Sequence, residues 1–182
     1  MLTLAHDSFP IPTIEAERLR LRGHRVEDFE ACAAMWADPE TVRHLGIPTL
    51  TEEDTWARLL RYAGHWAMLG FGYWAIEEKS SGRFVGDLGF ADYKRDMEPA
   101  IHGLPEMGWI LSPYVHGKGY ATEAARAALD WGKPRFGDKR AVCLIVPENV
   151  ASIRVAEKYG FGERRLGRYK GHEVVVFTHD GR

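Results

Sequence analysis

Apolar and polar positions alternate with two different periods along this chain, and the switches between them mark its elements. Leu19 and Leu21 alternate with Arg18, Arg20 and Arg22, the period of a strand with one polar face. The three arginines read as a solvated face rather than an anion site. Phe29, Cys32, Ala33 and Trp36 then recur at helical spacing, which predicts a helix over Val26 to Trp36 that Asp38-Pro39 ends. Thr51-x-x-Asp54 has the form of a capping box, and Trp56, Leu59, Leu60, Ala63 and Ala67 trace the expected inner face of a second helix closed by Gly70 and Gly72. Its tryptophans read as core, with an acceptor pocket as the other reading.

Phe71 to Glu77 and Phe84 to Ala91 read as paired strands about a Ser80-Ser81-Gly82 turn, with Gly86 and Gly89 marking a bulge or a close backbone approach. Asp92 to Pro105 is a longer polar connection carrying Asp92, Asp96, Glu98 and His102, of a length that is often functional. Met107, Trp109 and Leu111 alternate on a strand that Pro113 stops, and Ala121, Ala124, Ala125, Ala128 and Leu129 mark the next helix. Ala141 to Val146 fits a central strand. Asn149 is placed to cap a helix with Ile153 and Ala156 inward, and Gly160 closes it. Phe161 to Leu166 and Glu173 to Thr178 form a last pair of strands. The order β-α-α-β-β-β-α-β-α-β-β predicts a mixed α/β fold, a partly antiparallel sheet flanked by helices.

Composition narrows the function classes. A chain of 182 residues with 45% hydrophobic and 27% charged positions suits one soluble domain spanning 1–182, with 1–14 as an irregular lead-in. The net charge of −2 supplies no basic footprint for nucleic acid. The absence of a long apolar run or a signal-like start points to a cytoplasmic protein without a membrane span. Cys32 and Cys143 and the eight scattered histidines give no metal-ligand spacing, so no metal is expected.

Candidate chemistry concentrates between Glu106 and Ala124. Gly117-Lys118-Gly119 opens a helix, where unpaired backbone N–H groups and the positive end of the helix dipole can hold a phosphate. An ordinary strand-to-helix turn is the competing reading. The Walker spacing fails because Gly119 follows Lys118, and the dinucleotide spacing fails because Thr122 stands at its last position.

The loop resembles motif A of the GNAT superfamily of acetyl-CoA-dependent N-acetyltransferases, commonly written [RQ]-x-x-G-x-[GA] and here His116-x-x-Gly119-x-Ala121. His116 departs from the pattern at a side chain that helps bind pyrophosphate in that family. The segment Asn149-x-x-Ser152, continuing through Glu157, Lys158, Gly160 and Phe161, resembles motif B of the RimJ/RimL-type branch. The likeness extends from about Glu15 to Thr178.

This resemblance implies a V-shaped opening between parallel strands at Met107–Leu111 and Ala141–Val146 that holds acetyl-CoA. The pantetheine arm would bond to the backbone at Ile110 and Leu111. The pyrophosphate would lie on the N–H groups of Gly117, Lys118, Gly119, Tyr120, Ala121 and Thr122, with Asn149 at the pantetheine region or fixing the loop; helix capping is its other role.

The implied reaction is direct attack of a free amine on a thioester, and amines near the lysine reference hold a proton at pH 7. A base must take that proton. Glu106, at the head of the ligand-bearing strand, is the first choice, ahead of Asp92, Glu98 and His102; a solvated strand end is the plainer alternative. A backbone N–H at Ile110 or Leu111 suits the oxyanion. The family's usual acid, a tyrosine seven residues after the motif asparagine, is replaced by Ala156; Ser152 is the substitute the resemblance implies, and an ordinary helix first-turn serine is its other reading. Tyr159 and Cys143 read as buried and inert. The acceptor is an amine, on a protein N-terminus or a small molecule such as an antibiotic, polyamine or amino acid. A non-catalytic acyl-CoA-binding module is the reading from another class. Monomer and homodimer remain equally open.

Overall fold

A computed structural model describes residues 10–179. A nine-stranded sheet runs through it in the order β1-β2-β3-β4-β6-β7-β9-β8-β5. Its strands are β1 (Ile14–Glu15), β2 (Leu19–Arg22), β3 (Tyr73–Glu78), β4 (Arg83–Ala91), β5 (Met97–Glu98), β6 (Glu106–Leu111), β7 (Ala141–Ile145), β8 (Phe161–Tyr169) and β9 (His172–His179). Every pairing is antiparallel except β6 with β7. The helices are α1 (Phe29–Ala37), α2 (Pro39–Val42), α3 (Glu52–Leu69), α4 (Tyr120–Phe136) and α5 (Val150–Lys158). No described helix is long and apolar enough to cross a membrane.

Helices cover both faces of the sheet, so its central strands are buried on both sides. The strand period sorts β3 between two cores. Trp74 and Ile76 pack with Leu19, Leu21 and the α4 alanines 124, 125 and 128. Tyr73 and Ala75 pack with Cys32, Met35 and Trp36 of α1 and with Leu59 and Tyr62 of α3. Small alanines let α4 lie close to the sheet behind β6, which fixes where its N-terminus points.

Four sequence expectations need correction. The lead-in is not irregular throughout: Ile14 and Glu15 pair with Leu21 and Arg20 as β1, while residues 1–9 lie outside the described chain. The arginines of β2 do not share one solvated face. Arg22 is 6% exposed, bonded to both oxygens of Asp28 and, through Nε, to Glu77. On α3 the capping box of Thr51 and Asp54 is present, but the buried stripe is Thr55, Leu59, Tyr62 and Trp66; Trp56 and Leu60 face outward. Tyr62 stacks on Tyr73 at 4.6 Å and Trp66 Nε1 donates to the Tyr73 carbonyl, and these contacts set the rotation of the helix. The connection from Asp92 to Pro105 also contains β5, which pairs with the end of β8.

Candidate active site

The site begins at an opening in the sheet. The parallel ladder of β6 and β7 has one registered pair, Glu106 with Val142, and the Val142 N–H donates to the Pro105 carbonyl at 3.0 Å. Past that point β6 continues to Leu111 against β4, and β7 continues to Ile145 against β9. The facing edges therefore carry backbone donors and acceptors with no ladder partner, the arrangement an extended amide-bearing ligand can fill. On the other edge of β6, Gly86 is required for the approach of β4: a Cβ there would lie 2.3 Å from the Ile110 oxygen.

The end of β6 runs through a short 3₁₀ turn, Pro113–Val115, into the glycine loop. Gly117 and Gly119 both have φ of +77°, the left-handed region that a side chain disfavours. Gly119 caps α4, so the N–H groups of Gly119, Tyr120, Ala121 and Thr122 have no acceptor within the helix. They converge where a helix dipole favours an anion. The loop is braced from behind: Arg18 donates to the Lys118 carbonyl at 2.9 Å, and Glu123 accepts from the Arg18 and Leu19 N–H groups. The Tyr120 hydroxyl donates to Glu78 at 2.6 Å beneath the Arg18 guanidinium. His116, the departure from the expected motif, sets its Nε2 3.0 Å from the Leu111 carbonyl and so ties the loop to the strand end. The open edge and the donor-lined loop together fit a ligand with an amide arm and a phosphate, as acetyl-CoA has.

Glu106 is buried, at 6% exposure, and its two oxygens accept from Arg95 Nε at 2.6 Å and Nη2 at 2.7 Å. Burial pulls the Arg95 guanidinium down, but bonding and charge from Glu106 outweigh it and hold it above its ordinary value. Of the weaker candidates, Asp92 pairs with Lys94, Glu98 lies in β5, and His102 Nε2 meets the Arg95 carbonyl at 2.7 Å. Across the opening, Asn149 Oδ1 accepts from the Ser152 N–H at 3.1 Å, which caps α5. Ser152 is half-buried on the first turn. Ala156, at the position of the family's tyrosine, is 1% exposed within the core, while Tyr159 packs half-buried against that core. Cys143 is 1% exposed, and burial pushes its thiol well above the ordinary range, so it carries little thiolate.

Two groups escaped the sequence pattern. Arg95 was hidden among the charges of its connection, because only the fold brings it to a residue eleven positions on. Asp87 is fully buried in β4 opposite Ile110, with His24 Nε2 at 2.7 Å and Trp36 Nε1 at 3.3 Å. An acid inside the apolar run Phe84 to Ala91 was the available signal for it. Among the described residues no His, Cys, Asp or Glu group is disposed to hold a metal.

Comparison with known proteins agrees with this geometry. Residues 18–162 match the acetyltransferase (GNAT) domain family. The chain is 27% identical over 170 residues to the uncharacterized N-acetyltransferase p20 of Bacillus licheniformis, covering 91% of this chain and 93% of that one. A shorter stretch of 61 residues is 34% identical to the spermidine N(1)-acetyltransferase of Escherichia coli, over 34% of this chain and 33% of that one. Among solved structures, a GnaT-family acetyltransferase of Bordetella pertussis superposes with a TM-score of 0.81 at 27% identity, over 92% of this chain and 99% of that one. RimJ of Mycobacterium smegmatis, in complex with CoA-disulfide, shares the fold at 19% identity with a TM-score of 0.73, over 93% of this chain and 87% of that one. The family match across most of the chain, on a sheet opened beside a donor-lined loop, shows that this protein belongs to the GNAT acetyltransferases and is an acetyl-transfer enzyme.

Proposed function

We propose that the enzyme moves the acetyl group of acetyl-CoA to a primary amine by direct attack, within the opening between β6 and β7. The observation that carries this reading is the single-pair ladder at Glu106 and Val142, which leaves an unpaired strand edge leading to the N–H groups at the start of α4. Acetyl-CoA supplies the acyl thioester. Ile110 and Leu111 hold its arm and offer a backbone N–H to the carbonyl oxygen. Gly117, Lys118, Gly119, Tyr120, Ala121 and Thr122 hold its phosphates, and His116 and Asn149 keep the loop and α5 in place. Glu106 takes the proton that the attacking nitrogen sheds. The carbon–sulfur bond then breaks, and Ser152 returns a proton to the departing thiolate, since no tyrosine stands at Ala156.

The acceptor in this reading is a protein N-terminal amine, supported by the fold shared with RimJ. A small polyamine-like acceptor is the second reading, favoured by the partial likeness to spermidine N(1)-acetyltransferase. Thiol release from acetyl-CoA, measured with N-terminal peptides and small amines side by side, separates the two. Replacing Glu106 by Gln is expected to lower kcat by about 10²–10⁴-fold with acetyl-CoA binding retained. An unchanged pH–rate profile in that variant would remove Glu106 as the base. Full activity in Ser152→Ala would show that the thiolate leaves without it.

A further inference from the structure

Arg95 sits in a box built for a cation. Its guanidinium faces the Glu106 carboxylate through two hydrogen bonds and lies over the Tyr93 ring at 4.7 Å and the Tyr169 ring at 4.5 Å. A carboxylate with two aromatic faces is a general arrangement for holding an organic cation. The three walls come from different parts of the fold. Glu106 heads β6, Tyr93 follows β4, and the pairing of β5 with β8 brings Tyr169 alongside. Asp92, Tyr93, Arg95, His102 and Glu106 line one small hollow beside this pair.

The occupant differs from Glu106 and Tyr169, which stand in strands, in how it is held. Arg95 belongs to the connection between β4 and β6, next to Lys94, which takes a left-handed φ of +51° without being glycine. Its side chain is 20% exposed against 8% for Glu106, so the arginine is the more exposed member of the pair. A buried carboxylate left alone is strongly destabilising. Exchange of one cation for another avoids that state: the carboxylate is paired before and after, and the released guanidinium is hydrated.

We propose that Arg95 is an internal stand-in for the acceptor, and that Glu106, Tyr93 and Tyr169 form the subsite for an alkylammonium group that displaces it. The proposal rests on the reading of Glu106 as the group that meets the acceptor. It makes the resting site closed and selects cationic primary amines over neutral amides of the same shape. It also brings the ammonium to the carboxylate that is to deprotonate it, and only an acceptor that displaces Arg95 frees that carboxylate.

The test is equilibrium titration of n-butylammonium into the CoA-loaded protein, with N-butylacetamide as the neutral control. Arg95→Ala and Arg95→Gln are expected to bind n-butylammonium at least about tenfold tighter than the unaltered enzyme, because the internal competitor is gone. Added methylguanidinium should compete with the probe in Arg95→Ala. Glu106→Gln should abolish binding, and the neutral control should not bind in any form. Unchanged or weaker binding in both Arg95 variants, with cooperative thermal unfolding preserved, overturns the proposal. Failure of both variants to fold also overturns it, since Arg95 is then a structural clamp. The readout needs no turnover. Tighter binding in the variants without acetyl transfer by the unaltered enzyme would sink the catalytic role of Glu106 and leave this inference standing; transfer without any tightening would do the reverse.

Discussion

Arg22 shows how a single residue acquires a role that its neighbours do not share. Arg18, Arg20 and Arg22 are equivalent in spacing, yet only Arg22 closes a buried network with Asp28 and Glu77, its side chain 7% exposed. Burial pushes the Asp28 carboxyl up, but hydrogen bonds from the Arg22 side chain and the Arg25 N–H outweigh it and hold the group below its ordinary value. Glu77 is lowered in the same way by Arg22 and Arg20. A lowered folded value means that the stabilisation is present above the unfolded value, about 3.9 for Asp. It is lost as pH falls through the folded one. Thermal melts are therefore expected to show stability falling steadily below about pH 4. Asp28→Asn should cost about 3–5 kcal/mol at pH 7 and flatten that acid loss. A variant with the same acid slope as the parent would place the titrating group elsewhere. None of this was readable from the arginine spacing, because Asp28 and Glu77 come from other elements.

At the scale of elements, the glycine loop and α4 are the part most legible in the sequence. The alternation up to Leu111, the stop at Pro113, the two glycines and the alanine stripe each report on neighbours within about four residues, and the structure has them in that order. The consequence is testable at Gly119, where φ is +77° and a Cβ would meet only an Arg18 nitrogen at 3.5 Å. Gly119→Ala there costs roughly 1–2 kcal/mol of backbone strain with no clash. Acetyl-CoA binding is expected to weaken about tenfold while the fold survives, measured by titration beside a thermal melt. Equal affinity in the variant would mean that the loop backbone does not meet the phosphates. The rotation of α3 was less legible. Trp56 and Leu60 offer an apolar stripe as plausible as Tyr62 and Trp66, and only the stack on Tyr73 of β3 decides which one turns inward.

For the whole molecule, the opening between β6 and β7 divides the sheet into two parts held together by one parallel pair, with α4 and α5 packed behind them. A ligand that completes the ladder edge and the loop should tie the two parts together. At a concentration one hundred times its Kd, acetyl-CoA adds about 2.7 kcal/mol of stability. For a chain of this size that corresponds to a rise in Tm of about 5–10 °C. A melt that does not move with acetyl-CoA would contradict the proposed binding mode.

The sequence by itself determined the order of the longer elements, though not the short β1, α2 and β5, together with the mixed sheet, the donor-lined loop and the two motifs that carry the family. Each of these is written in spacings of two to four residues or in a short run of consecutive positions. It also named Glu106 and Ser152 as the residues to watch, from their places at a strand head and a helix start. Only the tertiary structure decided what those residues touch. Arg95 on Glu106, Tyr169 over Arg95, Arg18 behind the loop and His24 on Asp87 join residues from different elements, up to 105 positions apart for Arg18 and Glu123. Such pairs leave no periodic trace in a single chain. They exist because packing two cores against one sheet removes water from those charges and leaves each of them only the partner that the fold brings near.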